Sequence, residues 1–358
     1  MRCLTRIWIV SLMCLLFIGC NSYRQENDSP IYYFSESEEI SLSDLFSCDH
    51  INRIQLQDPD KVLMSSPAIF RMNDKYMAAC QPFGSRQGVW LFAMNGTYLG
   101  NIGRIGRGPG EYIMPMEILM NDSDTIYIED KGKKEILAYS LSNRKAEKTY
   151  PFAFNSKCVA LDKTGNLVWY VASSNSNTSD YENLVKTDIS SNVLMQYSPV
   201  KQLDHYSGMW QTITLFSETP TGLIAHHQFQ PELFPIDAEK GATKVLQFEN
   251  HKFAPESFNW QKDGFRERIS TSSYVQYYDV FETSTKMYVR FCAGKNIYLG
   301  IYDKEHNKGR YCDIKRIDDD LDLGCIPRVK GVHNDHFFCL AAHEEEDQYY
   351  PPSVVWFE

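Results

Sequence analysis

Four glycines and a proline fall within the eight residues Gly103 to Gly110, in the stretch Ile102-Gly103-Arg104-Ile105-Gly106-Arg107-Gly108-Pro109-Gly110-Glu111-Tyr112. Glycines spaced this closely can cradle a phosphate, but a dinucleotide fingerprint needs a helix directly behind it, whose N-terminal dipole meets the charge. Pro109, Pro115 and apolar, strand-like residues follow instead. The stretch therefore reads as a tight crossing between two sheets, where missing Cβ atoms let backbones approach. Arg104 and Arg107 could grip an anionic ligand there; pairing with Glu111 or with an acid of a neighbouring unit is the favoured reading.

Metal chemistry would draw on the nine histidines, which include the pairs His226/His227 and His333/His336. Neighbouring residues in a strand point to opposite faces, so His226 and His227 cannot both meet one ion. A histidine site would need His227, His333 and His336 to converge. Asp318-x-Asp320-x-Asp322 opens like a calcium loop, yet Leu323 stands at the sixth position and Val329 at the twelfth, where glycine and a bidentate glutamate are required. Both this segment and Glu344 to Asp347 read as solvated acidic turns, with a calcium site of another kind as the alternative. No Gly-x-Ser-x-Gly elbow occurs, so serine hydrolysis has no visible nucleophile. Trp210, Trp260, Tyr349 and Tyr350 lie in or beside expected loops and could stack on a sugar or peptide. Packing is the commoner fate of such rings, and Ser173 to Ser179 reads as a solvated loop.

The elements that position these residues begin behind a leader. Arg2 and Arg6 precede a twelve-residue apolar run, Ile7 to Ile18, too short for a bilayer span but suited to a cleaved export signal. Phe17-Ile18-Gly19-Cys20 resembles the bacterial lipobox, which implies that residues 1–19 are removed and that Cys20 carries the lipid. Residues 20–45 read as a polar, acidic tether, and 46–358 as the folded part. The chain has 36 basic and 46 acidic side chains, net −10. Loss of Arg2 and Arg6 with the leader takes this to −12, a surface that repels nucleic acid. The cysteines show no CxxC pair, and no disulfide framework is expected.

A polar turn followed by a short apolar strand recurs, in Lys75 to Cys80, Thr125 to Asp130, Asn166 to Val171, Leu223 to His227, Lys286 to Phe291 and His336 to Ala341. The pitch leaves room for a four-stranded antiparallel sheet in each unit. Third and fourth strands follow, as in Gly88 to Met94, the Asn95-Gly96 turn and Tyr98 to Ile102. The last unit is one strand short, and Ile51 to Gln57 could supply it beside Ser353 to Phe357, joining the chain ends. The expected fold is all-β, a six-bladed β-propeller closed by an N-terminal strand. A seventh blade would need a small sheet in 250–273; Pro255 to Ile269 reads rather as an insertion with a helix at Gln261 to Ile269.

Gly103 to Tyr112, as Gly-Arg-x-Gly-x-Gly-Pro-Gly-Glu-Tyr, resembles a signature of six-bladed β-propeller lipoproteins of gut-type anaerobic bacteria. Tyr127-Ile-Glu-Asp-Lys-Gly-Lys-Lys-Glu-Ile-Leu-Ala-Tyr139 is similar to an NHL/TolB-like blade. The resemblance implies a propeller held by its lipid in the cell envelope, at the outer membrane, facing the periplasm or the surface. The expected role is a binding or interaction module for a protein, peptide or glycan, without a cofactor. The alternatives are a metal-dependent propeller lyase or hydrolase, and a structural subunit of an envelope complex.

Overall fold

The computed structural model describes residues 29–46, 51–58, 69–153, 156–171, 184–197, 216–226, 230–236, 243–255, 274–326, 328–341, 344–345, 348–349 and 352–357. The leader, Cys20, Cys48, the 173–179 loop, Trp210, His227, the 261–269 segment with Trp260, and Tyr350 lie outside these residues. From the N-terminus come β1 (Ile31–Glu36), β2 (Ile40–Ser41), helix α1 (Leu42–Phe46) and β3 (Ile51–Gln55). Antiparallel four-strand meanders follow. The first is β4–β7 (Ile69–Met72, Tyr76–Gln81, Gly88–Ala93, Tyr98–Asn101), the second β8–β11 (Pro115–Met120, Thr125–Asp130, Glu135–Ser140, Ala146–Pro151). The third is β12–β15 (Ser156–Leu161, Leu167–Val171, Leu184–Thr187, Val193–Tyr197), the fourth β16–β19 (Phe216–Thr219, Gly222–His226, Glu232–Pro235, Lys244–Phe248). The fifth is β20–β23 (Val275–Glu282, Lys286–Ala293, Asn296–Asp303, Lys308–Asp313). Then come β24 (Ile317–Asp318), β25 (Arg328–His333), β26 (His336–Ala341), the ribbon β27–β28 (Glu344–Glu345, Gln348–Tyr349) and β29 (Ser353–Phe357).

The fold is all-β and propeller-like. Four units stand as separate four-stranded sheets: β4–β7, β8–β11, β12–β15, and β25-β26-β29-β3. The last sheet joins the chain ends, with Phe357 opposite Ile51 and Ser353 opposite Gln55. The two remaining meanders form one nine-stranded sheet, because β1 lies between them, parallel to β19 on one side and to β23 on the other. The first strands of the units neighbour one another in a closed circuit: β4 to β8, β12, β16, β20, β25 and back to β4. They surround an axis.

Burial explains which segments became strands. The second strand of each unit is covered on both faces, so it reads as a near-continuous apolar run, as in Met77-Ala-Ala-Cys80 and Phe337-Phe-Cys-Leu-Ala341. Outer strands are polar where they meet water: Ala146–Pro151 is exposed at five of its six positions. The core lies between successive units. One cluster joins Ala78, Val89 and Leu91 to Ile118, Ile126 and Ile128. Another joins Phe338, Leu340 and Val354 back to Phe70, Met77 and Trp90. The apolar packing thus runs full circle.

The expected tether at 20–45 is corrected from Ile31 onward. Phe34 is fully buried and stacks on Phe248 with ring centroids 5.0 Å apart. Glycines make its slot: a Cβ on Gly300 or Gly309 would meet the Phe34 ring at 3.2 or 3.0 Å. The helix α1 buries Leu42, Leu45 and Phe46, and the Phe46 ring stacks on that of Phe357 with centroids 3.8 Å apart, nearly parallel at 5°. Nothing local in an acidic stretch announces these partners.

A charged axial cavity as the candidate functional site

The first strands deliver charged side chains to a cavity of about 100 Å³ on the axis. Arg71 comes from β4, Glu117 from β8, Lys157 from β12, Glu218 from β16, Asp279 from β20, and Arg328 and Lys330 from β25; Glu129 reaches it from β9. Each first strand has one edge on the axis and two faces against neighbours, so one or two charges are tolerated in an otherwise apolar segment.

Two of these pairings stitch neighbouring units together. Arg71 Nη2 donates to Glu117 Oε1 at 2.9 Å. Arg328 grips Asp279 with two donors, Nε at 3.0 Å and Nη2 at 3.1 Å, and Arg290 lies 3.8 Å from the same carboxylate. Planar two-point contacts of this kind fix geometry as well as charge. Ser217 Oγ donates to the Val280 carbonyl, and Lys131 Nζ to that of Lys157 at 2.6 Å, across two further boundaries.

Three charges in the cavity are left over. Glu129 is 1 % exposed, and neither carboxylate oxygen has a hydrogen-bond partner. Ser156 Oγ donates to the Cys158 carbonyl at 3.3 Å. Burial pushes the Glu129 carboxyl up to about 7, with Lys131 and the Ser156 hydroxyl opposing and with Glu117 and Asp130 adding repulsion. Adjacent Asp130 shows the contrast: its carboxylate accepts from the backbone N–H groups of Ile113, Met114 and Gly132, all at 2.9 Å. Glu218 faces the water of the channel yet lies deep in the molecule, and this enclosure raises its carboxyl, against the pull of Arg71. Lys157 makes no side-chain hydrogen bond or ion pair among the described residues, and burial next to Lys131 lowers its ammonium to about 8. Lys330 is likewise lowered to about 8 by burial and by Arg328.

The glycine crossing has another use. Glu111 receives Arg104 Nε at 2.6 Å and the Gly108 amide at 2.7 Å, which holds its carboxyl below the usual range. Lys133 Nζ donates to the carbonyls of Glu111 at 2.7 Å and Gly108 at 3.1 Å, and Tyr139 Oη to that of Gly110 at 2.6 Å. Tyr112 is buried, donating to the Ile102 carbonyl at 2.9 Å and accepting from the Val89 amide at 3.1 Å. Gly103 sits at φ +63°, where a Cβ would strike the Tyr139 hydroxyl. Arg104 and Arg107 are both exposed.

The remaining sequence candidates lie apart from the cavity. His333 and His336 face each other across the β25–β26 turn; His333 Nε2 is 3.4 Å from Asp74, and His336 Nδ1 is 3.1 Å from the Phe357 carbonyl. Among the described residues no three His, Cys, Asp or Glu side chains are placed to hold a metal ion. Asp319 binds the Leu323 and Gly324 amides, and Asp320 the Ser43 amide, so the acidic turn braces the N-terminal segment. Sequence reading missed Glu129 and the axial charges. The signal for the charges on the first strands was one or two charged residues in the segment before each polar turn, as in Arg71 before Asp74 and Glu117 before Asn121.

Radial sheets, a closed circuit of inner strands and a central cavity define a β-propeller-like protein. The chain belongs to the family described as "Domain of unknown function (DUF4934)", which matches residues 30–350. A crystal structure of a Bacteroides fragilis protein described as exported is similar over 92 % of this chain and 99 % of that one, at 18 % identity and a TM-score of 0.76. The β-propeller domain of Cps50 (Swd1) from Myceliophteria thermophila aligns over 86 % of this chain and 100 % of that one, at 10 % identity and a TM-score of 0.42, too distant to carry an argument. No curated protein matches. Among the described residues no helix is long and apolar enough to cross a membrane.

Proposed function

We propose that the chain is a lipid-anchored propeller of six blades that works in the cell envelope as a binding module, with its ligand at the axial cavity. The β16–β19 and β20–β23 meanders count as the fourth and fifth blades, bridged by β1. The observation that carries the binding role is the set of charges left unpaired on the axis, because buried charge without a partner is costly and is kept where a ligand supplies the partner. Strand direction supports an orientation. β1 runs parallel to the outer strands, so its N-terminal end lies on the face bearing the first-to-second strand turns. Cys20 precedes Ile31 by eleven residues, a reach of at most about 40 Å. The lipid therefore draws that face to the membrane and leaves the face with the glycine crossing outward.

Two measurements test this reading. Labelling cells with an alkyne fatty acid should mark the wild type and spare Cys20→Ser. Peptide and glycan arrays probed with the wild type, Glu218→Lys and Lys157→Glu should show ligands that only the wild type retains. Equal labelling of Cys20→Ser removes the anchor, and array binding indifferent to both axial variants removes the axial site.

A further inference from the structure

Positive charge is in excess on one sector of the axis. The first strands β20, β25 and β4 are consecutive in the circuit, and from them Asp279, Arg328, Lys330 and Arg71 line the cavity. Lys330 is 8 % exposed, and Arg328 on its own strand, Arg290 on β21 and Arg71 on β4 all repel its ammonium against the attraction of Asp279. Asp279 is already shared by Arg328 and Arg290, and Glu117 is taken by Arg71. Among the described residues four cations thus stand against two carboxylates. Glu218, which pulls on Arg71 from β16, narrows this excess without removing it. Like charges crowded where little water can screen them repel strongly, and an anion relieves them. Arg71 also has donors to give. Its Nη1 serves the Phe70 carbonyl at 3.0 Å and its Nη2 serves Glu117 at 2.9 Å. The rest of its five N–H donors are unspent, on a side chain 25 % exposed.

Resting on the binding-module reading above, we infer that this sector of the axial cavity takes the anionic head of a small ligand, a carboxylate or a phosphate, between Arg71 and Lys330. A guanidinium matches the paired oxygens of either head, and an ammonium adds a point charge beside it. The cavity of about 100 Å³ has room for a head of a few atoms. Phe70, Phe281, Val329 and Phe338 line it too, so the charges act through a medium poorer in water. Lys330 must hold its proton to take part. Burial, with Arg328, Arg290 and Arg71, brings its ammonium down to about 8, so anion affinity falls as pH rises above that value. Of the groups facing Asp279, burial lowers His226 to about 4 and raises Tyr288, so neither reverses this trend. Ionisation of Glu117 or Glu218, both raised by burial, acts in the same direction as loss of the Lys330 proton.

Thermal melts of the purified mature chain in sodium acetate, sodium phosphate and sodium chloride at matched ionic strength separate a bound head from general screening. Acetate or phosphate should raise the Tm saturably above the chloride control, and whichever does so at lower concentration names the head. Lys330→Met should weaken that anion by about tenfold or more, with circular dichroism showing that the variant folds. The wild type supplies a test that needs no variant: its affinity should fall from about pH 8 to about pH 9, where neither probe changes charge appreciably and Lys330 loses its proton. No rise beyond chloride with either anion at about 50 mM, an affinity flat over that pH range, or a folded Lys330→Met protein that responds as the wild type does overturns the inference. Array ligands still lost in Glu218→Lys and Lys157→Glu would then leave the binding module standing without the anion site, whereas failure of both experiments removes both.

Discussion

Replacing Glu129 with glutamine keeps the side-chain volume and removes the ionisation, and the consequence for stability has a definite sign. In the unfolded chain the carboxyl titrates near 4.5, and in the fold burial raises it to about 7. Between those values the native state holds the proton and the unfolded state does not, so stability falls as pH rises. Below about pH 4.5 both states are protonated and the group costs nothing; above about pH 7 the full penalty is present. A difference of about 2.5 pKa units corresponds to roughly 3 kcal/mol at 1.36 kcal/mol per unit. Glu129→Gln should thus overtake the wild type as pH rises, gaining about 3 kcal/mol between pH 4.5 and pH 8. For a fold of about 310 residues, with an unfolding entropy near 2.1 cal/mol/K per residue, that is a rise in Tm of roughly 5 °C. The assay is urea unfolding of both proteins at half-unit pH steps without ligand, followed as the difference between them. A difference that stays flat from pH 4.5 to pH 8 would falsify the claim that this carboxylate is buried and unpaired.

Three further substitutions probe the frame around the cavity. Phe34→Ala empties the slot over Gly300 and Gly309 and should cost about 3–5 kcal/mol in urea unfolding; a loss under about 1 kcal/mol would mean β1 does not lie between β19 and β23. Tyr112→Phe removes only the hydroxyl joining the Val89 amide to the Ile102 carbonyl. Two buried groups lose a partner at about 1–3 kcal/mol each, giving a loss of about 2–6 kcal/mol, and an unchanged melting curve would refute the bond. Asp279→Asn weakens the clamp on Arg328, whose side chain is 40 % exposed. With solvent screening that half of the pair, about 1–3 kcal/mol is expected, shrinking in high salt; a larger loss in salt would contradict the assignment.

The parts of this fold visible in the sequence were those whose environment repeats. Thr125–Asp130 and His336–Ala341 are sandwiched between neighbours, so their apolar runs announce themselves. The Asn95-Gly96 turn and the pairing of Ile51–Gln55 with Ser353–Phe357 followed from the same counting. β1 did not, because Phe34 meets Phe248 and Gly309 more than 200 residues away. Its four letters Ile31-Tyr-Tyr-Phe34 sit in an acidic stretch that resembles a linker. First strands were also hard to see: Ser156–Leu161 mixes a lysine, a cysteine and small residues, since one edge faces an open axis.

The site was harder to see for a related reason. Arg71, Glu117, Lys157, Glu218 and Asp279 are separated by 40 to 61 residues in sequence, and they converge only when the ring closes. The glycine crossing drew attention as a local, conspicuous pattern, but its polar groups are largely consumed within it. Glu111 takes up Arg104 and the Gly108 amide, and the carbonyls of Gly108 and Gly110 take up Lys133 and Tyr139. Groups already saturated have little left to offer a ligand. Glu129 has the opposite character, with both oxygens unused in a place where leaving them unused is expensive. That contrast in unspent hydrogen-bonding capacity, more than the rarity of a motif, directs the search for a ligand to the axis.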